Sequence, residues 1–310
     1  MGSTSKTDEE APLGEIAALV SALCWAGTSV ALARLGTKYG GAVLSGLRFL
    51  IASPFAIVLF FATDAVNQVR HAPWIAIGAV LLSGVFNYLV GDTAYVRALP
   101  RVGLQRMSPT ATALWVALST LGGVLILHEP AGLDLLVGGA SVIVGTFLVV
   151  SGQVRRLHDP DGPPRIGALP ALGLLLLVAG SWATSTLLIA GGRDGLGPIA
   201  VNAIRIPAGG LMIATMALVT TRGEVLKRLP EPRDIPLVLA VGILGTALGS
   251  LAYVYAVAEA GAARAVILNS TSPLMVVPLS MVFLGERPTM RVGVGTVFCL
   301  AGTLIVVAAG

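Results

Sequence analysis

Three charged residues stand where charge is expensive. Arg48 and Arg205 each fall inside a run of apolar residues, and Asp92 falls towards the end of another. A charge held at depth in hydrocarbon costs at least a few kcal/mol unless it is paired or hydrated, so each of the three needs a chemical account. A guanidinium and a carboxylate at a shared depth can form an ion pair, a gate, or a site that takes up and releases a proton. Arg48 and Asp92 fit that description. Arg48 lies about six residues, or roughly 9 Å, into its segment, and the segment carrying Asp92 runs towards the same side. Arg205 differs. Ser250 stands at the position equivalent to Asp92, and Glu259, nearer the segment's end, is one replacement acid. The Arg205 guanidinium then either reaches back to the membrane interface or accepts an anionic group through charge-assisted hydrogen bonds.

Other reactive chemistry is sparse. Cys24 and Cys299 both sit in apolar segments and form no C-x-x-C motif, which indicates neither a disulfide framework nor a zinc site. His71, His128 and His158 fall in loops and are far apart in sequence, so no metal-ligand set is read from them. There is no Walker-type phosphate loop and hence no sign of ATP-driven work by this chain. No nucleophile–base–acid set stands out. Neither an enzyme nor a cofactor is expected. The net charge of +4 and isoelectric point near 9.4 come without the basic–aromatic patch of a nucleic-acid binder, so nucleic acid is excluded as a partner.

The elements that position these residues follow from composition. The 310 residues are 55% hydrophobic and 12% charged, with mean hydropathy +0.87. A soluble domain carries about 25% charged residues, so this chain cannot cover a water-facing globule. Its apolar runs are near 20 residues, the length that crosses roughly 30 Å of hydrocarbon. The pattern predicts an all-α integral membrane protein with ten transmembrane segments, at about 15–34, 42–62, 74–97, 104–127, 132–151, 167–190, 198–220, 235–258, 264–284 and 291–309. A polar tail over 1–13 precedes them. Short loops such as Tyr39-Gly40-Gly41 and Gly195-Leu196-Gly197-Pro198 join them. The tail lacks the basic n-region of a signal peptide. The longest polar stretch, Ser151–Arg165, falls near the midpoint and reads as a linker over 152–165.

The two halves, 14–151 and 166–310, match each other. Trp25-Ala26 matches Trp182-Ala183, Arg48 matches Arg205 and Glu129 matches Glu286, all at an offset of 157. Gly138, Gly145 and Thr146 match Gly295, Gly302 and Thr303 at the same offset. An offset of 158 pairs Ala94-Tyr95-Val96 with Ala252-Tyr253-Val254, Gly103 with Gly261, and Arg106 with Arg264. Five segments is an odd number, so the second copy enters the membrane from the opposite side, giving two inverted five-helix repeats. With segments assigned this way, 14 basic residues fall on one side and four on the other, and Arg48 and Arg205 complete the 20. The richer side is expected in the cytoplasm, with both termini outside. The glycine pairs, seven residues apart, each share a helix face that permits close helix approach. Packing accounts for this stripe, and a homodimer contact through it stays open.

The ordered motifs resemble those of the EamA family within the drug/metabolite transporter superfamily. They include Ser-Ala-Leu-Cys-Trp-Ala-Gly-Thr-Ser in the first segment and Leu-Arg-Phe-Leu-Ile-Ala at 47–52. Thr271-Ser272-Pro273-Leu274 leads on to Leu284-Gly285-Glu286-Arg287, Gly295 and Ala301-Gly302. The resemblance covers 14–151 and 166–309. The first copy departs from it, with Trp115 or Val116 where the second has Pro273, and with His128-Glu129-Pro130 at the Gly-Glu turn. The family is commonly described with cytoplasmic termini, whereas the charge split here points the other way.

The resemblance implies which segments line a central cavity. On them lie Trp25, Thr28, Ser29, Asn87, Tyr88, Tyr95, Trp182, Ser185, Arg205, Tyr253, Asn269 and Ser270, the candidate substrate-binding residues, beside Arg48 and Asp92 as gate or ion pair. Isolated Ser and Thr usually bond back to their own helix, but Trp25 and Trp182 sit too deep for an interfacial belt. Asn269-Ser270-Thr271 reads as a glycosylation sequon inside a membrane segment and is discounted. The expectation is a secondary transporter in the plasma membrane, an exporter or exchanger of amino acids, metabolites or drug-like solutes, working by alternating access. Proton coupling through Asp92 and simple facilitated diffusion both stay open. The alternatives are a membrane-embedded enzyme on lipid-linked substrates, for which no clustered acids or histidines are seen, and a passive pore.

Overall fold

The computed structural model describes residues 7–39, 41–95, 104–153, 168–220, 222–223, 229–272, 274–275, 278–279, 282 and 289–308. Residues 1–6 of the tail, 154–165 of the linker, Pro273 and the turn containing Glu286 lie outside them. Among the described residues every regular element is helical. The helices are α1 (Thr7–Tyr39), α2 (Gly41–Ala62), α3 (Ala65–His71), α4 (Trp74–Tyr95), α5 (Leu104–Ile126), α6 (Leu133–Gln153), α7 (Ala168–Gly192), α8 (Pro198–Thr220), α9 (Pro232–Asn269) and α10 (Met290–Ala308).

Six of these contain stretches long and apolar enough to cross a membrane, and three shorter apolar stretches, Ala111–Ile126, Leu133–Leu148 and Met290–Val306, accompany them. The outer faces carry the side chains such a span needs: Leu23, Val58, Phe61, Leu125, Leu211 and Val297 are all exposed. Several expectations shift. The first helix begins at Thr7, inside the segment read as a polar tail. α6 runs through Gln153, two residues into the expected linker. His71 lies in the short helix α3, not in a loop, and its Nδ1 faces the Asn67 carbonyl at 2.9 Å.

α9 is two helices in one run. Gly261 sits at φ 81°, ψ 166°, which breaks the helix and starts another at Ala262. Only glycine adopts that backbone freely. The exposed donors at the new helix start are met from outside. The Glu129 carboxylate accepts from the Ala262 N–H at 2.6 Å and the Ala263 N–H at 2.9 Å. The His128-Glu129 turn aims it there, with His128 at φ 56° and the Glu129 N–H donating to the Gly123 carbonyl at 3.0 Å. A second feature the sequence did not signal is a π-helical stretch in each half, Val85–Asp92 in α4 and Val241–Leu248 in α9, at nearly equivalent places. Such bulges are rare and frequent at functional sites.

The halves are not separate bundles. α2 packs on its counterpart α8, α6 on its counterpart α10, α1 on α9, and α5 on α7. Each of these pairs takes one helix from each half. The matched glycines are spent inside the chain. Gly138 faces the Gly302 carbonyl, and Gly145 faces Cys299 and the Gly295 carbonyl. This face is therefore covered by the chain itself and is not free for a second copy.

Polar contacts gather at the two ends. At one, Arg264 donates to Glu15 at 3.0 Å and to Asp134 at 3.2 Å, and the Gly197 N–H donates to Gln68 at 2.9 Å. At the other, Lys38 pairs with Asp234 at 2.8 Å and Glu231 at 2.9 Å, and Tyr39 donates to Asp234 at 2.5 Å. α1 is thus tied to the second half at both of its ends.

Candidate functional site

The charges at depth come from α2, α4 and α8. Arg48 and Arg205 each lie seven residues, about 10 Å, beyond the first residue of their helix. Arg48 Nη2 donates to Asp92 Oδ2 at 3.0 Å. Its side chain is 8% exposed and that of Asp92 is 28%. The Arg48 guanidinium also faces the rings of Phe49 at 5.0 Å and Trp25 at 5.6 Å.

Asp92 reaches across to the other half. Its Oδ1 accepts from Trp182 Nε1 at 3.1 Å. One carboxylate therefore joins α2, α4 and α7. The π stretch ends on Asp92 and carries Tyr88, so the bulge sets the direction of both side chains. Around Trp182 an aromatic wall continues: Tyr95 at 5.5 Å, Trp115 at 6.2 Å, and Tyr253 at 6.3 Å from Trp115. Thr186 ties it together. Its Oγ1 lies 2.7 Å from the Tyr253 hydroxyl, accepts from Trp115 Nε1 at 3.4 Å and faces the Trp182 carbonyl at 3.0 Å.

Arg205 is held differently. It is 2% exposed, so it does not reach back to an interface. Its Nη2 donates to Ser185 Oγ at 3.2 Å, and its guanidinium lies over the Tyr88 ring at 5.2 Å. Nε and Nη1 are buried without a hydrogen-bond partner. Ser250, equivalent to Asp92, is engaged one turn away, where its hydroxyl donates to Asn202 Oδ1 at 2.6 Å. Glu259 is exposed and is not a partner of Arg205. The Tyr88 ring in turn meets Phe49 edge-on at 4.5 Å, closing a path back to Arg48.

The structure gathers Trp25, Arg48, Tyr88, Asp92, Tyr95, Trp182, Ser185, Arg205 and Tyr253 into one connected cluster drawn from both halves. Thr28 is buried against Gly245, where an added side chain would collide with its hydroxyl. Asn87 is half-buried on the π stretch. Ser29 stays outside the cluster, exposed and bonded back to the Trp25 carbonyl at 2.8 Å. Ser270 is used elsewhere: its carbonyl accepts from Thr146 at 3.1 Å, and its hydroxyl donates to the Ile267 carbonyl of its own helix at 2.7 Å. Asn269 is buried, with Oδ1 unpartnered. Trp115, Thr186 and Asn202 were not singled out as site residues from sequence. For Trp115 the available signal was a mid-segment tryptophan, as at Trp182; a lone Thr or Asn on an apolar helix gives none.

The family model described as the EamA-like transporter family matches residues 12–151 and again 169–308. A Listeria innocua protein named "Putative sugar uptake protein" is 28% identical over 94% of this chain and 98% of its own length. A Streptantibioticus cattleyicolor protein named "Probable terminal-alkyne amino-acid exporter" is 29% identical over 45% of this chain and 46% of its own. One solved crystal structure superposes with TM-score 0.77 at 17% identity, covering 94% of both chains, which speaks to the fold. With a match that repeats in each half and spans most of the sequence, the chain belongs to the EamA-like transporter family.

Proposed function

We propose that this protein is a secondary transporter, an exporter or exchanger, that moves small organic solutes by alternating access, with its site where the halves meet. The observation that carries the reading is the Asp92 carboxylate, bonded to Arg48 of its own half and to Trp182 of the other. A carrier that rocks one repeat against the other needs its binding residues on that seam. Names of relatives speak of sugar uptake and amino-acid export, so small polar solutes are the class in common.

The reading includes ten membrane crossings in two inverted five-helix repeats over 14–151 and 166–310, joined by a linker over 152–165. Support comes from which loops meet. Contacts join the 62–74 connection to the 192–198 connection, and the 126–133 connection to the break at Gly261. The α1–α2 corner meets the 229–235 connection. Alternating crossings put those partners on common sides. The reading also takes the membrane to be the plasma membrane, with the termini outside, an orientation supported by the basic-residue split.

Reconstitution in liposomes, with a panel of sugars, amino acids and organic acids inside and a labelled trace outside, tests it. Saturable uptake accelerated by unlabelled solute on the other side is expected. Flux that neither saturates nor responds to trans solute would indicate a pore. Cysteine labelling of an added C-terminal residue in intact cells tests the orientation, and protection until permeabilisation would reverse it.

A further inference from the structure

The buried charges of the site do not balance. Arg48 is neutralised by Asp92 at 3.0 Å. Arg205 is 2% exposed, and among the described residues its hydrogen bond goes to the neutral hydroxyl of Ser185. Among the described residues no carboxylate pairs with it, and Nε and Nη1 have no acceptor. A guanidinium stays charged in proteins and offers five N–H donors. Tyr88 and Ser185, the side chains that contact it from α4 and α7, are both uncharged. A buried cation left this way is costly. Retained in a packed membrane core, it signals a counter-charge that arrives and leaves.

We infer that the solute this protein moves carries a carboxylate, and that Arg205 is the group that receives it. The inference rests on the transporter reading and names its substrate class. A carboxylate matches the planar fork of arginine in shape and charge, and brings acceptors for the two unsatisfied donors. Ser185 holds Nη2 and the Tyr88 face holds the guanidinium plane, which orients the fork before the solute arrives. The rest of the solute then meets the aromatic wall of Trp182, Trp115 and Tyr253, joined through Thr186, which neighbours Ser185 on α7. That wall suits an apolar body or, in a zwitterionic amino acid, an ammonium over an aromatic face. A neutral sugar would leave Arg205 without an anion.

The experiment uses purified full-length protein in liposomes and in detergent. The probes are neutral hexoses, sugar acids, apolar monocarboxylates, amino acids, and the methyl esters of any compound that is moved. Transported compounds are expected to carry a carboxylate, and their esters to be lost as substrates. Arg205→Gln should raise KM for the carboxylate by about 10- to 100-fold, the worth of a charge-assisted bond, with Arg205→Lys between the two. Without solute, Arg205→Gln should melt at a temperature equal to or above that of the wild type, since an unpaired charge is removed; a structural arginine would lower it. Saturable transport of neutral sugars that Arg205→Gln leaves intact overturns the carboxylate inference while the transporter reading stands. If no probe is moved, the transporter reading falls. The site is then judged by melting alone: a rise with a monocarboxylate, present in the wild type and absent in Arg205→Gln, sustains it, and no rise overturns it.

Discussion

Removing both partners of the Arg48–Asp92 pair should cost far less than the sum of removing each alone. Asp92→Ala strands a guanidinium whose side chain is 8% exposed and frees the Trp182 indole N–H. Breaking a buried pair costs about 3–5 kcal/mol, and this variant should lie at the upper end, about 4–5 kcal/mol. Arg48→Ala strands a carboxylate that is 28% exposed and still held by Trp182, so about 3 kcal/mol is expected. Independent effects would sum to about 7–8 kcal/mol, whereas the double variant removes both charges and should lose only about 4, a coupling of about 3–4 kcal/mol. Asp92→Asn isolates the charge, because its amide oxygen keeps the bond to Trp182 while Arg48 loses its anion. Unfolding by detergent titration in mixed micelles measures all four variants. A double variant that loses the plain sum, within about 0.5 kcal/mol, would refute the pairing. Glu129→Ala combined with Asp92→Ala, two sites with no shared partner, is the additive control.

Three further outcomes follow from the packing and the ends of the bundle. Glu129→Ala leaves the Ala262 and Ala263 donors without their acceptor and should cost about 2 kcal/mol, with Glu129→Gln between it and the wild type, measured by the same titration. Gly145→Ala places a methyl group 2.5 Å from the Cys299 backbone nitrogen and 2.7 Å from the Gly295 carbonyl. Backbone cannot step aside, so α6 and α10 separate at about 1–3 kcal/mol, while Gly27→Ala, which meets nothing, should be neutral. Hydrogen bonding to Asp234, Tyr39 and Glu231 raises the Lys38 pKa, and the bond from Lys38 lowers that of Glu231. The Glu231 contribution is present above the unfolded carboxylate pKa and lost as pH falls through the lowered folded value. The Lys38 contribution is present below the unfolded lysine pKa and lost as pH rises through the raised folded value. The latch therefore holds at neutral pH, and spin labels at Gly41 and Leu239 should move apart in strong acid and strong alkali but not between; an unchanged distance in acid would show that Glu231 does not hold it.

Much of the architecture was written in the chain, because membrane crossing leaves few options. Hydrocarbon demands some 20 apolar residues whose backbone bonds are met within the helix, so hydropathy alone placed α2, α5, α8 and α10 within a residue or two of where they lie. The internal repeat was legible because Trp, Arg and Glu do not recur by chance at one spacing in an apolar sequence. Arg48, Asp92 and Arg205 could be singled out because charge in such segments needs a reason. What sequence could not say is which neutral side chains stand near them. Thr186, Asn202 and Trp115 acquire their roles only from neighbours 48 to 71 residues away. Likewise the π turns of α4 and α9 and the break at Gly261 depend on what crosses them, since Glu129, 133 residues distant from Ala262, supplies the cap. Above all, the sequence left Arg205 free either to rise to the interface or to stay inside. Burial against Tyr88 and Ser185 decided it, because only the packed helices determine whether a long side chain has a path to water.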